Sequence, residues 1–300
     1  RIPIYADSMV VVLRYDPLSS TYRTETIPLP GSFDVAVFKD DQFSCTAYLA
    51  ARIDADSLQH SVDLGEVNYF YTRAAFFDGE WNAERRYADT LWTSEVPLSR
   101  DGQTRYYYVG RKVTLPFDTY HLAYAFEDQK GNARALFKGV SDSFRFVEGE
   151  LAISDILFQD PSRLHPLSFE RGGKTIYPHP GRRYKNGQRL GIYFEVYGLE
   201  LSRRKSDFDV TFYIYEAPEE TPSRWAELGS RFADIVGLGE DRAPAVSQTF
   251  RRQGVERTAV EEILIDVDAL RPGRYEMVIS IHDRVADEVE QASGYFFKVR

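Results

Sequence analysis

LRPGRYEMVISIHD (270–283) and LPFDTYHLAYAFED (115–128) align without a gap, with Leu270 over Leu115, Tyr275 over Tyr120 and Asp283 over Asp128. Both stretches alternate. Tyr275, Met277, Ile279 and Ile281 share one face, as do Tyr120, Leu122, Tyr124 and Phe126. One large-apolar face against one smaller or polar face marks a half-buried β-strand. The same strand written twice, 155 residues apart, predicts the same kind of domain twice.

Further alternating runs flank both copies: FDVAVF (33–38), CTAYLAARI (45–53), VNYFYTRAAFF (67–77) and RRYADTLW (85–92) in the first half, and LAISDILF (151–158), RLGIYFEVYGL (189–199), FDVTFYIYE (208–216) and VSQTFRR (246–252) in the second. Short strands at this spacing predict an all-β chain of two tandem β-sandwiches. The repeated stretch is read as the penultimate strand of each, followed by a hairpin and a last strand, SFRFV (143–147) in the first half. A turn leading into a Tyr resembles the tyrosine corner of immunoglobulin-like domains, where a hydroxyl ties the strand start to an upstream carbonyl. Without a Cys pair, fibronectin-like or generic immunoglobulin-like is the better label. The expected boundary lies at VEGELAISD, giving domains at 1–148 and 149–300. One helix is expected inside the second, PSRWAELGSRFADIVG (222–237), with Trp225, Leu228, Phe232 and Ile235 at helical spacing. Its stripe either covers an open end of the sandwich or docks a partner through Trp225, Leu228 and Phe232.

The 20 Tyr and 20 Phe suit pleated sheets. A net charge of -9 argues against nucleic-acid binding, which needs an excess of Lys and Arg, and against docking on anionic lipid. Cys45 is the single cysteine and reads as a buried apolar side chain. No run of 18 apolar residues predicts a transmembrane segment. The start at Arg1 rather than Met leads to the expectation that a secretion signal or anchor lay upstream.

Catalytic and metal motifs are missing from the sequence. The five histidines form no HExxH or close pair, and no GxSxG, P-loop or GxGxxG occurs. No cofactor, metal or enzymatic activity is expected. The acidic stretches DADSLQHSVD (54–63) and FDGEWNAE (77–84) are the weak calcium candidates. Two aromatic strips draw attention. With Ile192, Phe194 and Val196 facing the core, Tyr193, Glu195 and Tyr197 are expected on an outer face; Tyr213 and Tyr215 are expected opposite Phe212 and Ile214 on a second sheet. Such outward aromatics, with Trp81 and Trp92 as exposed candidates, suit a sugar ring or a protein surface.

Ser154-Asp155-Ile156, then Pro178 and Pro180, then Tyr193-x-Glu195-x-Tyr197 resemble the C-terminal β-rich region of bacterial GWxTD-domain proteins. The resemblance covers mostly residues 150–300, and the Gly-Trp-x-Thr-Asp motif is absent, since LWTSE (91–95) does not match it. The resemblance implies an extracytoplasmic setting, in the periplasm or at the cell surface, and an interaction role among other protein subunits of an envelope assembly. The expected function is a non-catalytic structural or scaffold protein, with a cell-surface carbohydrate-binding module as the alternative.

Overall fold

The computed structural model describes residues 27–60, 69–78, 82–96, 98–101, 104–118, 120–130, 133–141, 149–162, 167–217 and 243–300. In chain order the elements are β1 (Ile27–Pro28), β2 (Gly31–Lys39), β3 (Ser44–Asp54), α1 (Ala55–His60), β4 (Tyr69–Phe77), β5 (Ala83–Trp92), β6 (Leu98–Asp101), β7 (Thr104–Pro116), β8 (Tyr120–Asp128), β9 (Ala133–Ser141), β10 (Ala152–Ile153), β11 (Leu157–Gln159), β12 (Phe169–Arg171), β13 (Lys174–Ile176), β14 (Arg183–Tyr184), β15 (Arg189–Tyr197), β16 (Ser206–Glu216), β17 (Val246–Gly254), β18 (Ala259–Asp266), β19 (Gly273–Asp283) and β20 (Glu288–Lys298). The chain is all-β apart from α1 among the described residues. It divides into two compact units, Arg1–Phe146 with Leu157–Gly181, and Val147–Ile156 with Arg182–Arg300.

The first unit is a sandwich of two sheets, ordered β1-β9-β8-β4-β5 and β2-β3-β7-β6. Alternation decides what fills it. Phe33, Val35 and Val37 of β2, Leu49 and Ala51 of β3, Phe70 and Phe76 of β4, and Leu122, Tyr124 and Phe126 of β8 share one buried core. The second unit has a five-stranded sheet, β14-β20-β19-β16-β17, and a sheet in which β15 pairs β10 and β18. Phe208, Val210, Phe212 and Ile214 of β16 are buried, as are Met277, Ile279 and Ile281 of β19. The two five-stranded sheets run in the same order. In each, a short strand pairs parallel with the last strand, and the remaining pairs are antiparallel.

The repeated stretch does the same work in both. Leu115 and Leu270 are buried. The hydroxyl of Tyr120 donates to the carbonyl of Pro116, and that of Tyr275 to the carbonyl of Arg271, at matching positions. Asp128 accepts from the backbone N–H of Lys130, and Asp283 from that of Val285, so each Asp closes the hairpin that follows it. The expected tyrosine corner is therefore present twice.

The structure departs from some expectations, and others fall on residues it does not describe. The hairpin partner of β8 is β9, ARALFKGVS, whose mixed pattern lacks the alternation that marks its neighbours. SFRFV and the 222–237 helix, with Trp225, Leu228 and Phe232, lie outside the described residues. The chain has no single boundary after residue 148. LAISDILF is broken at Ser154–Ile156: Ala152–Ile153 pairs with β15, whereas the chain from Leu157 to Gly181 belongs to the first unit.

That returning segment straps the outer face of β2, β3 and β7. Phe169 meets Tyr48 edge-on at 5.0 Å, and the Lys112 ammonium donates to the carbonyl of Glu170. Arg171 lies over the Phe38 ring, 4.9 Å from its centroid, and bonds Asp40 and the Lys39 carbonyl. A methyl group on Gly110 would fall 2.4 Å from Leu167, so glycine there permits the close approach.

The acidic stretch at 54–63 is helical over Ala55–His60. Asp54 accepts from the N–H groups of Asp56 and Ser57 as an N-cap, and Asp56 pairs with Arg105. In the second acidic stretch both Asp78 oxygens hold Asn82. Local bonds thus occupy these carboxylates, and no cluster of three or more potential ligands occurs among the described residues.

Candidate functional site

The strip expected at Tyr193, Glu195 and Tyr197 is buried rather than exposed. Glu195 is 4% exposed, and both tyrosines are buried beside it. Residues two apart on a strand share a face, so the two phenols flank one carboxylate. Tyr193 donates to one oxygen at 2.6 Å and Tyr197 to the other at 2.5 Å. Ser154 completes the arrangement. Its N–H donates to the Glu195 carbonyl, its hydroxyl accepts from the Glu195 N–H and donates to the Asp155 carbonyl. The Ser-Asp-Ile and Tyr-x-Glu-x-Tyr stretches, distant in sequence, are thereby joined. Alternation misleads here because β15 is buried on both faces, and a strand of that kind reads as a nearly continuous apolar run.

Tyr213 and Tyr215 do lie outward on β16, half-buried and stacked 6.2 Å apart. They belong to a different sheet from Tyr193, Glu195 and Tyr197, as expected. Register sets Tyr215 opposite Glu276, and Glu276 opposite Tyr295. The Arg274 guanidinium sits 4.2 Å over the Tyr295 ring. This is a mixed aromatic and charged band on one sheet face.

A more open aromatic group lies on the first unit, at the end of β4 and β5. Trp92 is 49% exposed, the most exposed aromatic of the described residues after Phe43. Register places Trp92 opposite Tyr69, with the rings 5.3 Å apart and near-perpendicular. Tyr71 follows on the same face, its ring 5.5 Å from that of Tyr69. A hydrogen bond between the two phenols pushes the Tyr71 phenol above its ordinary value. Beside them Arg73 faces Glu127 at 3.8 Å, and Thr90 stands opposite Tyr71. The expected exposure of Trp92 is met, while Trp81 lies outside the described residues. Tyr69 and Tyr71 were legible as the outward set of VNYFYTRAAFF, but only pairing with β5 brings them to Trp92.

His282 forms a 3.0 Å contact with Asp287, and Arg284 bonds Asp209, so the polar end of β19 is an ion-paired surface. No helix among the described residues is long and apolar enough to cross a membrane.

No family model matches the chain, and no curated protein matches it. Among solved structures it is similar to a calcium-binding mutant of Bacteroides uniformis β-glucuronidase 2, at 9% identity and a TM-score of 0.24, over 88% of this chain and 27% of that one. It is also similar to a β-glucuronidase from Bacteroides uniformis, at 9% identity and a TM-score of 0.25, over 84% and 26%. A putative β-galactosidase from Bacteroides fragilis follows at 8% identity and a TM-score of 0.21, over 89% and 34%. The chain spans about a quarter to a third of those proteins, and likeness at this level assigns neither fold nor activity.

Proposed function

We propose that this chain is a non-catalytic binding protein that works outside the cytoplasm as an assembly or scaffold subunit, contacting other proteins of an envelope or surface structure. The observation that carries this reading is the division of labour among polar and aromatic groups. The convergent acid–phenol cluster around Glu195 is buried with both carboxylate oxygens bonded. The large apolar side chains left exposed include Trp92 and Val289 on strands and Phe43 and Val255 in turns. Exposed aromatic groups on a rigid sheet suit recognition. The extracytoplasmic setting rests on the GWxTD-domain resemblance of Ser154–Ile156 and Tyr193–Tyr197.

Affinity capture with crosslinking, from the envelope of the source organism, tests this reading. One protein partner in stoichiometric amount is the expected result. Turnover of a substrate that Glu195→Gln abolishes without loss of folding would overturn it. A specific observation, the Trp92 group, favours a second reading as a carbohydrate-binding module of the cell surface.

A further inference from the structure

We infer that the outer face formed by Tyr69, Tyr71 and Trp92 is a binding site for the rings of a neutral pyranose polysaccharide. This deepens the second reading above and rests on the chain being a binding protein.

The two units supply an internal comparison. Asp128 and Asp283 occupy matching places in the repeat, and each is paired across the sheet with a buried Phe, Phe70 and Phe208. Counting from those pairs, Tyr69 matches Asp207 and Tyr71 matches Asp209. Trp92, opposite Tyr69, matches Gln253, opposite Asp207. The second unit therefore builds the same corner of the same sheet from Asp and Gln, with Arg251 bonded to Asp207 and Arg284 to Asp209. The fold does not require aromatic side chains there. Three on the first unit, one of them 49% exposed, call for another explanation.

The chemistry around them selects the ligand. An exposed ring carries a negative face that attracts the polarised C–H groups of a sugar. Hydroxyl recognition needs paired donors and acceptors nearby, and Thr90, Arg73 and Glu127 lie next along the same face. Beyond them Ala88 opposes Arg73 on β5 and Ala125 opposes it on β8, so the sheet offers a shallow floor. Glu127 already balances Arg73, and the chain's net charge of -9 disfavours an acidic polymer. Area argues against a protein occupant. Three aromatic side chains offer at most about 150–250 Å² each, and these are partly covered, whereas a protein partner takes roughly 800 Å² per side. The same face carries Arg73, Glu127 and Arg86, a charged setting unlike the core of a protein interface.

Native affinity electrophoresis of the full chain tests the site, using gels that hold β-glucan, xylan, galactomannan or polygalacturonate. The expected result is retardation by at least one of the three neutral polymers and none by polygalacturonate. Trp92→Gln, which installs the residue of the matching position, should weaken that affinity at least tenfold with its unfolding curve unchanged. Tyr71→Phe removes only a hydroxyl and should weaken it a few-fold, giving a second measure if Trp92→Gln disturbs the fold. Tyr213→Ala should leave it unchanged. Equal retardation of Trp92→Gln and Tyr71→Phe would overturn the site while leaving a carbohydrate-binding protein. Retardation by none of the neutral polymers would overturn it too. The binding-protein reading would then stand if crosslinking captures a protein partner and fall if it captures none.

Discussion

The hydroxyl of Tyr275 donates a 2.9 Å hydrogen bond to the carbonyl of Arg271, four residues upstream. It pins the start of β19 to the turn that feeds it, as Tyr120 does with Pro116 at 3.1 Å. Tyr275→Phe keeps the ring, which stacks on Phe296 at 5.5 Å, and removes only the bond. A neutral hydrogen bond contributes about 1 kcal/mol net, so the second unit should lose about that much in urea denaturation. Tyr120→Phe should cost the first unit a similar amount. No measurable loss in either would mean that the ring alone holds the corner.

Alkaline pH should test the same residue by another route. Burial first, then the charge of Asp118, pushes the Tyr120 phenol up to about 12. Burial also raises the Tyr107 and Tyr124 phenols. A phenol whose folded value exceeds its unfolded value of about 10 gives full stability below that value. That stability is lost as pH climbs towards about 12. The first unit should therefore unfold in that window, with phenolate absorbance rising together with loss of β circular dichroism. Phenolate forming well before unfolding would show these rings to be accessible.

Glu195 offers a contrast between a structural and a catalytic carboxylate. Glu195→Ala removes the acceptor of both Tyr193 and Tyr197 in a buried site. Each disturbed buried group costs about 1–3 kcal/mol, so a loss of about 3–5 kcal/mol is expected in chemical denaturation. Glu195→Gln preserves shape but turns one acceptor into a donor, and should cost about half as much. A fully stable Glu195→Ala would refute a structural role.

Two glycines share a left-handed conformation and should respond differently to alanine. Gly187 has φ of 77° with open space around it. Gly187→Ala should cost only about 1 kcal/mol, the price of the backbone conformation. Gly198 has φ of 75°, and a methyl group there would lie 1.9 Å from the Glu150 carbonyl oxygen. Backbone cannot yield as a flexible side chain does, so Gly198→Ala should cost clearly more, about 3 kcal/mol or above. Thermal unfolding of the two variants side by side checks the ranking.

Much of this fold was legible because its strands obey a period of two. The repeat aligned Tyr120 with Tyr275 and Asp128 with Asp283, and in each pair both residues make equivalent bonds. Alternation failed where a strand is covered twice. Tyr193, Glu195 and Tyr197 look outward by parity, yet the other side of β15 is buried as well, and local sequence does not record what lies above a face. Pairing is also invisible along the chain: the Tyr69–Trp92 contact depends on a register between β4 and β5. The break at Ser154–Ile156 was hidden because LAISDILF keeps a strand-like composition through it.

The strap at Leu157–Gly181 has a consequence for synthesis. Ala152–Ile153, which pairs in the second unit, leaves the ribosome before the segment that covers Phe38, Tyr48 and Gly110 in the first. The first sandwich therefore keeps its outer aromatic face bare until Leu157–Gly181 has been made. A fragment cut after residue 148 would leave that face open permanently, and one carried through Gly181 would close it.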